Sequence, residues 1–375
     1  MESRDDYYRY IEYLQQQLLD RDWAAAFDSS TWKSWITKNR SRLREMAQQT
    51  LGSDGPSLVA HLERSAGLFM PKTRFEMPTT KAIFEPLFES ISKVAAGIGL
   101  KPIRTVEIVT STGSTASPDA RPTTRDHALF IGLGTASFCN YWAKCITSII
   151  LAIPEVVGPK RISSVEEIEN VFRKDPTGLI LAARLSLYYA VFGTALGFGE
   201  VRQPESYLAY RLQLLHAMET FALAHEYAHF VAEERLPEFS GSLDQARSQN
   251  LEFFCDELGL TISREHGSVT NNYLSFTGIG ALVSYRAIQM CESVRQSLLN
   301  SPLKSAPTVR QREHASSHPA PEERILAIKA QIYQKTASDQ RDAVGAFVNE
   351  YDLILNSVAT HVLDVINSAM DQNDV

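Results

Sequence analysis

The chain has 375 residues, with 37 Lys and Arg against 44 Asp and Glu, a net charge of −7, and it is 44% hydrophobic and 22% charged. That composition belongs to an ordinary globular protein and excludes a disordered chain, a collagen-like polymer and a small disulfide scaffold. The acidic excess and the lack of any basic block argue against nucleic acid as the ligand, because phosphate binding needs clustered Lys and Arg. Cys139, Cys145, Cys255 and Cys291 form no CxxC pair, which predicts free thiols in a reducing compartment. The opening residues Met1-Glu2-Ser3-Arg4-Asp5-Asp6 are polar and acidic where a secretion signal is basic and then apolar. The expectation is a cytoplasmic protein.

In chain order, the first 50 residues read as helical, with Tyr7, Ile11, Leu14 and Leu18 along one face. Trp23, Trp32 and Trp35 are the expected anchors of this region. A break at Leu51-Gly52-Ser53-Asp54-Gly55-Pro56 restarts a helix, and helical character is expected to about residue 100. Residues 104–110 read as a strand, 111–126 as a Ser/Thr/Pro-rich loop, and 127–134 (HALFIGLG) as a second strand, with His127 taken as a loop residue at its start. Beyond 136 nearly everything reads as helix, interrupted at Pro154, Gly158, Pro176 and Pro204.

Residues 136–158 and 176–199 are apolar for roughly a bilayer's thickness, but Lys144 and Arg184 lie near their middles. A charge at mid-membrane costs about 2.5–3.5 kcal/mol, so buried core helices are expected, with membrane insertion as the lesser reading. Residues 205–235 contain no Pro or Gly and predict one long helix. A loop follows, then helices over 244–265 and 272–299, a Pro-bearing loop over 300–321, and closing helices over 322–336 and 340–370. This gives a helical region over 1–100, a central domain over 101–330 and a helical extension over 331–375.

The long helix contains His225-Glu226-Tyr227-Ala228-His229. Side chains four apart share a helix face, so both imidazoles can grip one metal ion. Glu226 is rotated about 100° from His225 and lies beside such an ion, placed to take a proton from water. The apolar neighbours Phe221-Ala222-Leu223-Ala224 and Phe230-Val231-Ala232 supply a dry sheath. The alternative is a buried helix with two structural histidines. The next predicted helix decides between them, because Glu252 and Asp256 are again four apart among Phe253, Phe254, Cys255 and Leu258. Glu252 completes a two-His, one-Glu ligand set, and Asp256 accepts the outward N–H of a ligating histidine. Cys255 is turned away and read as core. His61, His216, His266 and His361 have no partner at ligand spacing and are read as structural or exposed.

HEYAH followed by E-x-x-x-D resembles the gluzincin metallopeptidases. The 22 residues between His229 and Glu252 match the short gap of the thermolysin-like branch. Ser317-His318-Pro319 followed by Glu322-Glu323-Arg324-Ile325 resembles instead the branch holding the CAAX prenyl endopeptidase and the bacterial heat-shock membrane peptidase, whose gap is usually longer. The resemblance covers 205–265 and 316–328.

It implies a mainly α fold of α+β type, in which a zincin-like core of small antiparallel sheet and active-site helix carries extra helices at both ends. It implies zinc on His225, His229 and Glu252, Glu226 as general base, Asp256 behind the ligands, and a zinc-dependent endopeptidase acting on intracellular protein or peptide substrates. His318 is the expected oxyanion donor, with His314 and Tyr227 behind it, and Arg324 either pairs with a carboxylate of the HEYAH helix or stays on the surface. Residues 127–134 are the expected edge strand to which substrate adds. Two other functions stay open: a phage-exclusion type of cytosolic zincin with a single substrate, and a zincin-fold binding module without catalysis.

Overall fold

Apolar residues at three- and four-residue spacing make the chain predominantly helical, around a small three-stranded sheet. The computed structural model describes residues 4–18, 31–51, 56–57, 59–60, 63–64, 71–111, 116, 118–123, 125–153, 164–239, 243–300 and 318–371. Trp23, His61, Pro154, Gly158, His314 and Ser317 lie outside the described residues.

Helix α1 (Arg4–Leu18) buries Tyr7 and Ile11 against Val109, Ala128 and Phe130 of the sheet. Gln15 ties it further by donating to the Thr110 carbonyl at 2.9 Å. On α2 (Trp32–Leu51) the indole of Trp35 is exposed, so it does not anchor the region; the side chain of Trp32 lies outside the described residues. Helix α3 (Pro78–Gly97) starts on a proline, whose missing N–H costs nothing in a first turn, and leads out through Gly99 at φ 79°.

The strands are β1 (Val106–Ser111), β2 (Asp119–Pro122) and β3 (His127–Gly132). Their order is β1-β3-β2, with β3 parallel to β1 and antiparallel to β2. The sheet is therefore mixed, not antiparallel, because the stretch between β1 and β3 is long enough for a crossover that returns in the same direction. It also contains β2 where a plain loop was expected. Asp119-Ala120-Arg121-Pro122 has no β-branched residue, and Pro122 suits only an edge. The 127–134 segment is paired on both sides and so is the central strand, with β1 and β2 at the edges. His127 is a fully buried strand residue, not a loop residue.

Helices α4 (Leu133–Leu151), α5 (Val165–Lys174) and α6 (Thr177–Phe192) follow, α6 ending at Gly193 with φ 68°. After a 3-10 turn at Glu205–Tyr207 comes α7 (Leu208–Arg235), then α8 (Gln245–Thr270) with Asp244 as its N-cap. The apolar helix expected over 272–299 is two, α9 (Tyr273–Phe276) and α10 (Ile279–Asn300), divided at Gly278 with φ 78°. Helices α11 (Pro321–Lys335) and α12 (Arg341–Asp371) close the chain.

Two apolar cores meet on α7. The larger joins α4, α6, α10, α11 and α12 to Leu214, Ala217, Met218 and Phe221 of α7. The smaller packs α3 and the sheet on Leu223, Ala224, Tyr227, Phe230 and Val231. Among the described residues one helix is long and apolar enough to cross a membrane, Arg341–Met370, which is neither of the two apolar stretches read from the sequence as core helices. Lys144 is buried in the middle of α4 with its ammonium 3.2 Å from the Val201 carbonyl, and Arg184 of α6 lies over the Phe198 ring at 5.9 Å.

Candidate metal centre

The 28 residues of α7 keep an unbroken hydrogen-bond ladder because no Pro or Gly interrupts them. His225 and His229 therefore project one turn apart on one face, their Nε2 atoms 3.3 Å apart. Helix α8 runs back along α7 at unusually close range. A Cβ on Gly259 would sit 2.8 Å from the Cα of His225 and 2.9 Å from its backbone nitrogen, so only glycine permits the approach. One and two turns before Gly259, Asp256 and Glu252 are thereby brought against the imidazoles.

The ligand atoms of His225, His229 and Glu252 all lie within 4.8 Å of one another. Glu252 Oε2 stands 3.4 Å from His225 Nε2, and Oε1 stands 3.7 Å from His229 Nε2. The set has the composition of an open three-ligand site, two imidazoles and one carboxylate. Glu252 Oε2 is buried without an accepted hydrogen bond, although Arg324 Nη2 lies 3.2 Å away. A buried carboxylate with one imidazole nitrogen facing each of its oxygens presents three donor atoms to one point, so these residues fit a divalent metal ion.

Behind the ligands, Asp256 Oδ1 stands 3.0 Å from His225 Nδ1, which leaves Nε2 as the nitrogen facing the site. Arg324 Nε and Nη2 both donate to Asp256 at 2.7 Å, and the Tyr285 hydroxyl donates to it as well. Arg324 is buried, with its guanidinium over the Tyr285 ring at 4.4 Å. It thus pairs with carboxylates of the helix after the HEYAH helix, and not on the surface. His318, just before α11, is largely exposed with Nε2 3.4 Å from Glu252 Oε1.

Glu226 points the other way, toward the sheet, and accepts a hydrogen bond from the Ala120 backbone N–H of β2 at 3.1 Å. Burial pushes its carboxyl up to about 8, against the pull of the His225 charge. Burial also pushes His229 down to about 4, helped by the charge on His225. For His225 burial works in the same direction, but the Asp256 and Glu252 carboxylates overcome it and hold the imidazole near 10. Burial raises the Glu252 carboxyl, but His225, His229 and Arg324 together hold it well below the usual carboxylate range.

Tyr227 lies in the smaller core, edge-on to Phe88 at 6.0 Å, and takes no part in this cluster. Cys255 is buried against Ala228 and Ala232. His266 is buried and bonded to Ser90 at 2.9 Å, with His216 stacked on it at 5.5 Å, and His361 Nδ1 meets the Ser357 carbonyl at 2.8 Å. Sequence reasoning missed Tyr285, Gly259 and the Ala120 amide. It also missed Glu234, which pairs with His127 at 2.8 Å and accepts from the Arg104 amide at 2.9 Å, so that the last turn of α7 is clamped to the sheet. No protein-family model, no curated protein and no solved structure matches this chain, so what this centre does rests on its own residues.

Proposed function

We propose that the chain is a zinc-dependent endopeptidase cleaving protein substrates inside the cell, built on a zincin-like core. The observation that carries this reading is the convergence of His225, His229 and Glu252 within 4.8 Å, with the half-buried Glu226 next to His225 in the chain and bonded to the edge strand β2. Zinc held by those three residues supplies Lewis-acid polarisation of a peptide carbonyl and acidifies the attacking water.

The remaining chemistry belongs to the chain. Glu226 in its ionised form accepts the proton of the attacking water and returns it to the departing amine. Asp256, held by Arg324 and Tyr285, fixes the ring of His225. His318, exposed at the rim, donates to the oxygen that gains negative charge. An extended substrate lies along the edge strand β2, in place of the 127–134 segment.

Elemental analysis of the purified protein, combined with Glu226→Gln, tests this. The expectation is one zinc per chain in both proteins. Cleavage in the variant should fall about 10²–10⁴-fold, and the new N-termini that the wild type generates in a cell lysate should disappear. A variant that keeps its zinc and still generates the same termini would sink the peptidase reading, as would a wild type that binds no metal. A wild type that holds zinc and cleaves nothing would instead identify a binding module.

A further inference from the structure

At the start of α7, about 21 Å along the helix from His225 at 1.5 Å per residue, two cations are buried together. Arg211 and Lys144 are each 6% exposed. Arg211 lies in the first turn of α7, and Lys144 faces it from α4. Among the described residues neither has a carboxylate in contact. The ammonium of Lys144 meets the Val201 carbonyl at 3.2 Å and, at 5.8 Å, the Tyr141 ring. Among the described residues Arg211 Nε is buried with no hydrogen-bond partner, and so is Gln203 Oε1. Gln203 is fixed there by its Nε2, which donates at 2.8 Å to the Lys144 carbonyl and to Ser148 Oγ. The nearest acidic side chain on the loop, Glu200, is exposed and already engaged by Arg202 at 2.8 Å.

This arrangement is unfavourable on three counts. Burial in an apolar layer penalises both charges and lowers the proton affinity of both groups, and in Lys144 the charge of Arg211 adds to it. The positive end of the helix dipole lies in the same stretch, and Glu205, the one acidic residue of the 3-10 turn that leads into α7, is exposed. Lys144 can shed its proton, but a guanidinium cannot. A buried, unpaired arginine at a helix N-terminus is stable only with an anion opposite it.

We infer that Lys144 and Arg211 form a binding site for the phosphate group of a small molecule, separate from the metal centre. The Arg211 fork offers parallel donors that match two phosphate oxygens, while Lys144 serves another. The site does not depend on the peptidase reading. Since α7 carries both His225 and Arg211, an occupant stiffens the helix that holds the metal ligands.

Inorganic phosphate is the probe, compared with sodium chloride at matched ionic strength on the zinc-loaded full chain. In chloride, Arg211→Met should unfold at the same temperature as the wild type or higher, because it deletes a buried unpaired charge. Millimolar phosphate should raise the wild-type Tm by several degrees and leave Arg211→Met unmoved, reversing their order, with Lys144→Met responding weakly. Calorimetry should show one phosphate per wild-type chain, and Arg211→Lys should bind about tenfold more weakly, since it keeps the charge and loses the fork. Phosphate bound at the metal would shift all variants alike. An equal shift in wild type and Arg211→Met overturns the proposal, as does the absence of phosphate binding in the wild type. Should Arg211→Met fail to fold, equal phosphate affinity in wild type, Arg211→Lys and Lys144→Met has the same consequence.

Discussion

Asp256 is the point where three elements meet. Two nitrogens of Arg324 at 2.7 Å and the Tyr285 hydroxyl donate to its carboxylate, and Nδ1 of His225 stands 3.0 Å from Oδ1. An amide in its place accepts on one side only, so Asp256→Asn releases the ring of His225 while leaving the ligands themselves in place. Zinc affinity should fall about 10–100-fold, measured by competition with a chromogenic chelator. Glu219 supports a different test on the same helix. Burial pushes its carboxyl up to about 8, so the folded state holds a proton there that the unfolded chain has already lost above about 4.5. Its contribution to stability is therefore greatest at acid pH and is lost as pH rises from about 4.5 to about 8, with a slope approaching 1.4 kcal/mol per pH unit. Urea unfolding across that range should show the slope in wild type and a flatter profile in Glu219→Gln.

The residues legible in the sequence are those with a local period. His225 with His229, and Glu252 with Asp256, are each four apart, and that spacing is itself the geometry. Tyr285 and Ala120 reach the site from 29 and 106 positions away, and no pattern within a segment marks such a partner.

Elements follow the same division. The long helix α7 was readable because its periodicity persists without Pro or Gly, and α8 because its apolar period runs on through Gly259, while β2 was not, since four residues with one alanine as their only apolar side chain carry no β signal. The mixed order of the sheet was equally hidden, because register depends on partners rather than on any strand alone. What the period of a helix does not state is how closely it approaches its neighbour, and here glycines set that distance. A Cβ at Gly280 would overlap the Ala217 carbonyl of α7, and one at Gly259 would meet the backbone of His225. Each lies in a helix–helix seam where backbone, not a flexible side chain, is the obstacle. Gly280→Ala should cost about 1–3 kcal/mol with zinc affinity little changed, since its contact is eight positions from the ligands. Gly259→Ala pushes α8 away at the ligands themselves, so zinc binding should weaken by more than the loss of stability accounts for. Denaturation and chelator competition on both variants separate the two effects.

At the scale of the molecule, the metal centre depends on a helix that never touches it. Asp352 of α12 accepts from Arg286 of α10 at 2.6 Å and from Lys329 of α11 at 2.5 Å. Those two helices carry Tyr285 and Arg324, the residues that grip Asp256. Helix α12 is also the one whose length and composition allow it to cross a membrane. Yet its apolar residues are one-sided. Val344, Val348, Tyr351, Leu355, Val358, Val362 and Ile366, spaced three or four apart, enter the larger core, while Asp342, Asn349, Asn356, Thr360 and Asp364 face outward. A lipid-embedded helix has no such polar face, because every charge in hydrocarbon is penalised wherever it points. The two placements therefore predict different outcomes for one substitution made on opposite faces. Val358 is fully buried and Val365 is 43% exposed. If α12 packs as a bundle helix, Val358→Asp should cost about 4 kcal/mol or more, through an unpaired charge in the core. It should abolish zinc retention by loosening α10 and α11, while Val365→Asp should leave Tm and zinc content within error of the wild type. Equal damage from both variants, together with recovery of the wild type only in detergent, would place α12 in the bilayer instead.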